Sequence, residues 1–364
     1  METLRIERGL CHVMFAYDAA RSIDLDEAGR HIREASERKT IRHGRRAPGY
    51  FEYQAAPLRV TQDSEPLRLG RFLTRPGVDL VLYDFGAVAV NYTISLGGPF
   101  DELLPLSEEL YDNVLLLSDS RKRVDDLMKV IASAATHSNV ASVVEDYVIF
   151  HIESLSQPFE ADKFCTTNAR QIAGILRAER RPLSDQEVED AVSPRLSYGL
   201  NDVALIDWNA TLLVDDEGHD LREVLQFANV ELVEVRYLDR KLDRALEKSY
   251  EMLAKRRRKL RHYGAELRTV AEMQVDNATL FEGINNALKL LGDQYLARAY
   301  RMMSRRVHLD DWDAGILRKL HTLESIYQKM SDQEAGRRME VLEWVVIILI
   351  ALEIVLGLLP LGIS

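Results

Sequence analysis

The stretch that most constrains this chain is a C-terminal run from Val341 to Leu359, VLEWVVIILIALEIVLGLL. As a helix it rises roughly 28 Å, close to the ~30 Å hydrocarbon core of a bilayer. The run is apolar all round, unlike the one-sided stripe of a helix lying on a globular body. Trp344 stands near its start, where an indole suits a membrane interface, and Pro360 and Gly362 stop it. Arg337 and Arg338 precede it and no basic residue follows. The positive-inside bias therefore predicts a single-pass membrane protein with its N-terminal bulk cytoplasmic and lipid as one partner. Glu343 sits at the entry and can reach headgroups. Glu353 lies deeper, where a carboxylate costs on the order of 2–3 kcal/mol. It is read either as a polar contact between copies or as a polar residue tolerated near the membrane edge.

Charge narrows the partners. The 364 residues carry a formal net charge of -11, which argues against nucleic acid as the main partner of the whole molecule. One local exception is Lys255, Arg256, Arg257, Arg258, Lys259 and Arg261, six basic residues in seven. On a helix they would meet phosphate, from lipid headgroups or RNA, or form a solvated face. A second basic stretch, Arg38–Arg46, is a weaker candidate of the same kind. Cys11 and Cys165 are too few for a disulfide framework or a cysteine metal site. The N-terminal METLRIERGL has no apolar core of a secretory signal.

Along the chain, the first 218 residues mix strand and helix signals. His12–Tyr17 reads as a strand and Asp24–Glu37 as a helix opened by an Asp cap. Phe51–Gln62 and Val143–Glu153 read as strands. Val78–Ser95 reads as two strands or one bent strand, with a turn or bulge at Gly86. Helices are expected over Asp101–Asp112, Ser120–Ala135 and Asp162–Arg177. Ser184 caps a short helix, with Glu187 completing a capping box. Leu196–Val214 reads as a hairpin or a packed helix. From about Asp220 to Pro360 proline is absent. Apolar residues there recur at three- and four-residue steps, predicting a coiled-coil-like bundle over 219–338: a long first helix, a second near Val275–Arg306, and a third from Asp310. The fold class expected is α+β: a mixed α/β head, a long-helix bundle and a transmembrane helix over 341–359.

Catalytic signatures do not appear. There is no phosphate-binding loop GxxxxGK[ST], no GxGxxG after a strand, no HExxH and no GxSxG. His151-Ile-Glu153 has the form of a deaminase HxE, yet lacks its PCxxC partner. No cofactor, metal or small-molecule substrate is implied.

Four segments carry a resemblance: VMFAYDAARSIDL (Val13–Leu25), LVLYDFGAVAV (Leu80–Val90), LQFANVELVEVRYLDRKLD (Leu225–Asp243) and LEWVVIILIALEI (Leu342–Ile354). Together they resemble the family named for being required for meiotic nuclear division. The resemblance implies a membrane-anchored, assembling protein without known catalytic residues, and a link to translation at the membrane. Asn229, Arg236 and Asp243 recur every seven residues, so they form one slowly drifting helical stripe, with Asp239 an i,i+4 neighbour of Asp243. That stripe suits either a head-to-helix junction or a subunit interface, the latter being favoured.

The functional expectation is a non-enzymatic, homo-oligomeric scaffold or tether that docks a cytoplasmic machine at a membrane, with the ribosome or RNA as the candidate partner. The alternatives are a channel component using Glu353, and an enzyme of unspecified chemistry on the head.

Overall fold

The computed structural model describes residues 4–36, 41–43, 56–254, 268–269, 271–275 and 294–358. These divide into two compact units. One lies within Met1–Tyr237 and Leu280–Trp312, the other within Leu238–Thr279 and Asp313–Ser364.

The first unit is mixed α/β and built on one large sheet. Its long strands are β1 (Arg5–Asp18), flanked antiparallel by β8 (Ala87–Pro99) and β10 (Glu145–Leu155). The shorter strands in this sheet are β3 (Ile41–His43), β4 (Leu58–Gln62), β7 (Val78–Leu82), β11 (Arg195–Leu196), β12 (Val203–Ile206) and β13 (Ala210–Val214). Across the sheet the order is β11-β12-β13-β10-β1-β8-β7-β4-β3, with β10 and β13 parallel. Two-stranded pairs lie outside it: β2 (Ser22–Ile23) with β9 (Ala135–Thr136), and β5 (Arg68–Leu69) with β6 (Phe72–Leu73).

Strand periodicity sorts the side chains of β1 onto two faces. Cys11, Val13, Phe15 and Tyr17 join Val88, Val90, Tyr92 and Ile94 of β8 and Val148, Phe150 and Ile152 of β10 in the main core. Helices supply its other half: α1 (Leu25–Ser36), α2 (Leu103–Leu110), α3 (Val114–Val130), α4 (Ala161–Thr167) and α5 (Ala169–Arg177). A further short helix, α6 (Asp185–Val192), begins at the Ser184 cap. The opposite face of β1, with His12, Met14, Ala16 and Asp18, is also buried. There the sheet meets α7 (His219–Ala254), through contacts from His12 of β1 to Arg222 and from Asn91 of β8 to Gln226. A second helix of this unit is α8 (Gln294–Arg306).

Several elements differ from the sequence expectation. The helix expected from Ser120 starts at Val114, because Asn113 accepts a hydrogen bond from the Leu116 amide as an N-cap. Its first turn exposes Val114 and Leu115, which blurs the amphipathic pattern there. The helix expected over Asp162–Arg177 is two, meeting at Asn168. Leu196–Val214 contains the β12–β13 hairpin. Of the expected strand Phe51–Gln62, residues 51–55 lie outside the described residues, as do residues 276–293 of the expected second bundle helix. Gly86 makes the turn between β7 and β8 with φ +106°, and a Cβ there would sit 1.8 Å from the Ala20 carbonyl oxygen.

In the second unit the later part of α7 lies with α9 (Leu309–Leu358), joined by an ion pair from Lys319 to Asp239 at 2.7 Å. Ile316, Leu320, Leu323, Tyr327 and Met330 of α9 are buried, as are Leu238 and Leu242 of α7.

The C-terminal expectation is corrected. Among the described residues no helix is long and apolar enough to cross a membrane. This overturns the transmembrane helix over 341–359 and the single-pass, cytoplasm-facing localisation drawn from it. Glu343 and Glu353 limit the uninterrupted apolar run to Trp344–Leu352, roughly 14 Å of helix against a ~30 Å core. A cation path lined by Glu353 requires such a span.

Candidate functional site

Two features stand out against an otherwise ordinary fold. The first is the end of α9. From Val341 to Ile354, eleven large apolar side chains are each 46–65% exposed, with Glu343 and Glu353 exposed among them. The same helix buries its apolar stripe earlier, from Ile316 to Met330. Its surface thus changes from one covered face to apolar exposure all round.

The second feature is a polar seam between α7 and the sheet. From His12 to Asp18 β1 spans about 20 Å at ~3.3 Å per residue, and from Arg222 to Glu234 α7 spans about 18 Å at ~1.5 Å per residue. The matched rises let one helix follow the strand and meet it at both ends. At one end the Arg222 guanidinium donates to Nε2 of His12 at 3.3 Å and to Nδ1 of His219 at 2.6 Å. Burial, with the Arg222 charge next, holds the His12 imidazole well below its usual range, which keeps it neutral and able to accept. Burial likewise pushes Arg222 down to about 10, with the charge of Arg59 adding to it. The His151 ring lies 6.5 Å from that of His12, and its Nε2 sits 2.8 Å from the Asp215 carbonyl. Gly218 leaves room for it: a Cβ there would lie 2.9 Å from His151 Nε2.

Midway, Gln226 accepts from Asn91 at 2.8 Å and donates to the Tyr83 hydroxyl at 2.9 Å. At the far end Glu234 and Asp18 are both buried and share a hydrogen bond. Burial, then the Asp18 charge, raises the Glu234 carboxyl well above its ordinary value, so the pair holds a proton. Tyr300 of α8 donates to Glu231 of α7.

The stripe expected on α7 divides between the two units. Asn229 is buried and donates to the Glu145 carbonyl at 3.2 Å, while Arg236 pairs with the Glu145 carboxylate and lies 5.9 Å over the Trp312 ring. Asp239 and Asp243 instead share Lys319, at 2.7 and 2.5 Å. Glu145 and Lys319 are therefore the groups that gather these residues. The basic run Lys255, Arg256, Arg257, Arg258, Lys259 and Arg261 lies outside the described residues, as do 38–40 and 44–46 of the second basic stretch. His151 and Glu153 have structural partners, the latter binding Arg8.

Sequence reading does not pick out His12, Asp18 or Arg222, and it places Glu234 on the polar side of α7 without its partner. The trace available was local: Glu223, Glu231 and Glu234 stand among the apolar residues of Leu221 to Val235, a stretch in which every residue but Arg222 is buried. Their partners lie up to 216 positions away, at Asp18, so no spacing could reveal them. Among the described residues no group of His, Cys, Asp or Glu could hold a metal ion.

Residues 8–220, more than half of the chain, match the family described as "Uncharacterized protein MJ0711, N-terminal domain". The chain belongs to this family. It is also 22% identical over 263 residues to the uncharacterized protein MJ0711 of Methanocaldococcus jannaschii, covering 71% of this chain and 74% of that protein. The matched residues of this chain hold β1 from Arg8 onward, β8, β10 and the hairpin β12–β13, and the match ends at the start of α7. The resemblance to the family required for meiotic nuclear division is corrected by this finding, since nothing in either match links to it. Two of its motifs have local folding reasons instead. Val13–Leu25 is a central strand ending at Asp18, and Asp84-Phe85-Gly86 is a β7–β8 turn.

Proposed function

We propose that this protein is a homo-oligomeric scaffold, in which the end of α9 associates with the same segment of other copies and displays the α/β unit of each. The supporting observation is the apolar surface from Val341 to Ile354. At roughly half exposure, eleven such side chains leave on the order of 1,000 Å² of apolar surface open, beyond the ~300–600 Å² of a typical monomer's largest patch. It also exceeds the ~800 Å² that one partner contributes to a standard stable interface. A helix apolar all round is not satisfied by a one-sided groove. It needs several helices around it, and identical helices supply them with closed symmetry. The docking of a ribosome rested on the corrected resemblance and does not form part of this reading.

Sedimentation of the full chain tests it. A concentration-dependent oligomer is expected, reduced to monomer by the pair Ile347→Glu and Ile350→Glu with the far-UV spectrum unchanged. A wild-type monomer at tens of micromolar, well above the Kd of ~1 µM that about 8 kcal/mol of association gives, would overturn the proposal. So would uptake of single copies by neutral lipid vesicles.

A further inference from the structure

The cationic end of the α7 seam is incompletely balanced. Arg59 and Arg222 both turn to one carboxylate, Glu223. Arg59 binds its Oε2 and Arg222 approaches its Oε1 at 3.6 Å. Glu223 is buried, and Oε1 has no hydrogen-bond partner of its own. The side chains of Arg59 and Arg222 are only 16% and 25% exposed. Two guanidinium groups against one carboxylate leave a positive charge that burial makes costly. Two further charges act on the group: Arg75 on His12, while donating to Ser95 at 2.8 Å, and Asp79 on Arg222, while accepting from Thr61 at 2.6 Å. Counting Arg59, Arg75 and Arg222 against Asp79 and Glu223, the group keeps one net positive charge.

What Arg222 has in place of a second carboxylate is a pair of imidazoles, His12 and His219. An imidazole that accepts from an arginine can turn donor once protonated, which an anion beside it would favour. The site also lies at the first turn of α7, where backbone N–H groups add positive potential. The acidic residues Asp202, Asp215, Asp216, Glu217 and Asp220 line a separate cleft of about 460 Å³, of which neither Arg222 nor His12 is a wall.

We propose that Arg222, with Arg59 and His219, binds a tetrahedral oxyanion: a phosphate group, free or carried by a small molecule. Nη1 and Nη2 of Arg222 each carry a second N–H beyond the one given to an imidazole, and that pair suits two phosphate oxygens. His219 is exposed and forms the solvent side, and His12 backs Arg222 from the sheet. This site is independent of the helix-end association.

The test titrates the full chain with inorganic phosphate, and in a second arm with glycerol phosphate, at constant ionic strength. Proton NMR follows the imidazole lines and calorimetry the heat. Saturable binding is expected, with the His12 and His219 lines moving together. Binding should weaken at least tenfold in Arg222→Gln and severalfold in His219→Gln, whose exposed position leaves folding intact. A tighter fit for glycerol phosphate assigns the carried group, and an equal or weaker fit assigns free phosphate. Absence of saturable binding by wild type, or equal binding by wild type and folded His219→Gln with unmoved imidazole lines, would overturn the site.

Discussion

Asp207 lies in the turn between β12 and β13, is fully buried, and is the inner anchor of an ion network that joins three helices. It accepts from Arg177 of α5 at 3.0 Å and from Arg306 of α8 at 3.1 Å, and from the Trp208 amide at 2.9 Å. Both arginines also reach Asp190 of α6, at 2.6 and 3.1 Å, and Arg177 binds Glu187. The two carboxylates differ in environment. Asp190 is 55% exposed, so water replaces it when it is lost. Asp207→Ala removes the buried partner of two guanidinium groups whose side chains are 10% and 18% exposed, leaving them only the exposed Asp190 and Glu187. Removing one partner of a buried pair costs about 3–5 kcal/mol, whereas an exposed pair is worth about 1 kcal/mol. Asp207→Ala should therefore cost several times what Asp190→Ala costs. Urea unfolding read by far-UV circular dichroism measures both, with total tryptophan fluorescence as a check. Equal losses, or a loss below about 1 kcal/mol for Asp207→Ala, would refute the claim that burial sets the strength of this network.

Glu234→Gln tests the protonated pair at the other end of the seam. Burial raises the Glu234 carboxyl above its ordinary 4.5, so the folded chain keeps a proton there that the unfolded chain releases. Stability should then fall as pH rises from 4.5 toward the raised value, and Glu234→Gln should flatten that fall, as urea midpoints across the window will record. Gly86→Ala should cost at least about 1–3 kcal/mol from its positive φ alone, with the Ala20 clash in addition, while Gly97→Ala, which meets nothing within 4 Å, should be near neutral by thermal melting. Lys319→Ala removes a partner shared by Asp239 and Asp243, and should cost about 1 kcal/mol at low salt and less at high salt. Cys11 is buried and its thiol is pushed up by burial, so thiol reagents should label it only on unfolding, at the rate of the loss of structure.

Local chemistry alone determined a good part of this protein. The run HVMFAY lies inside β1, the Ser184 cap starts α6, Gly86 makes its turn, and Ile316 to Met330 pack at heptad-like steps. Each depends on neighbours within a few residues, through backbone conformation, capping or helical period. Tertiary structure decided which faces are covered. It turned both sides of β1 inward, set Arg222 against His12 and Glu234 against Asp18, and gathered Asn229 and Arg236 at Glu145. Those partners lie far apart in the chain, and a charged side chain reads as solvent-facing until the surface that buries it is known. The apolar run near the C-terminus was legible as apolar, but its consequence was not. Length and the interruptions at Glu343 and Glu353 keep it from crossing a membrane among the described residues, and its exposure on α9 leaves a surface that, on our reading, other copies cover. Hydrophobicity is a property of the sequence, whereas what buries it depends on every other surface in the assembled fold.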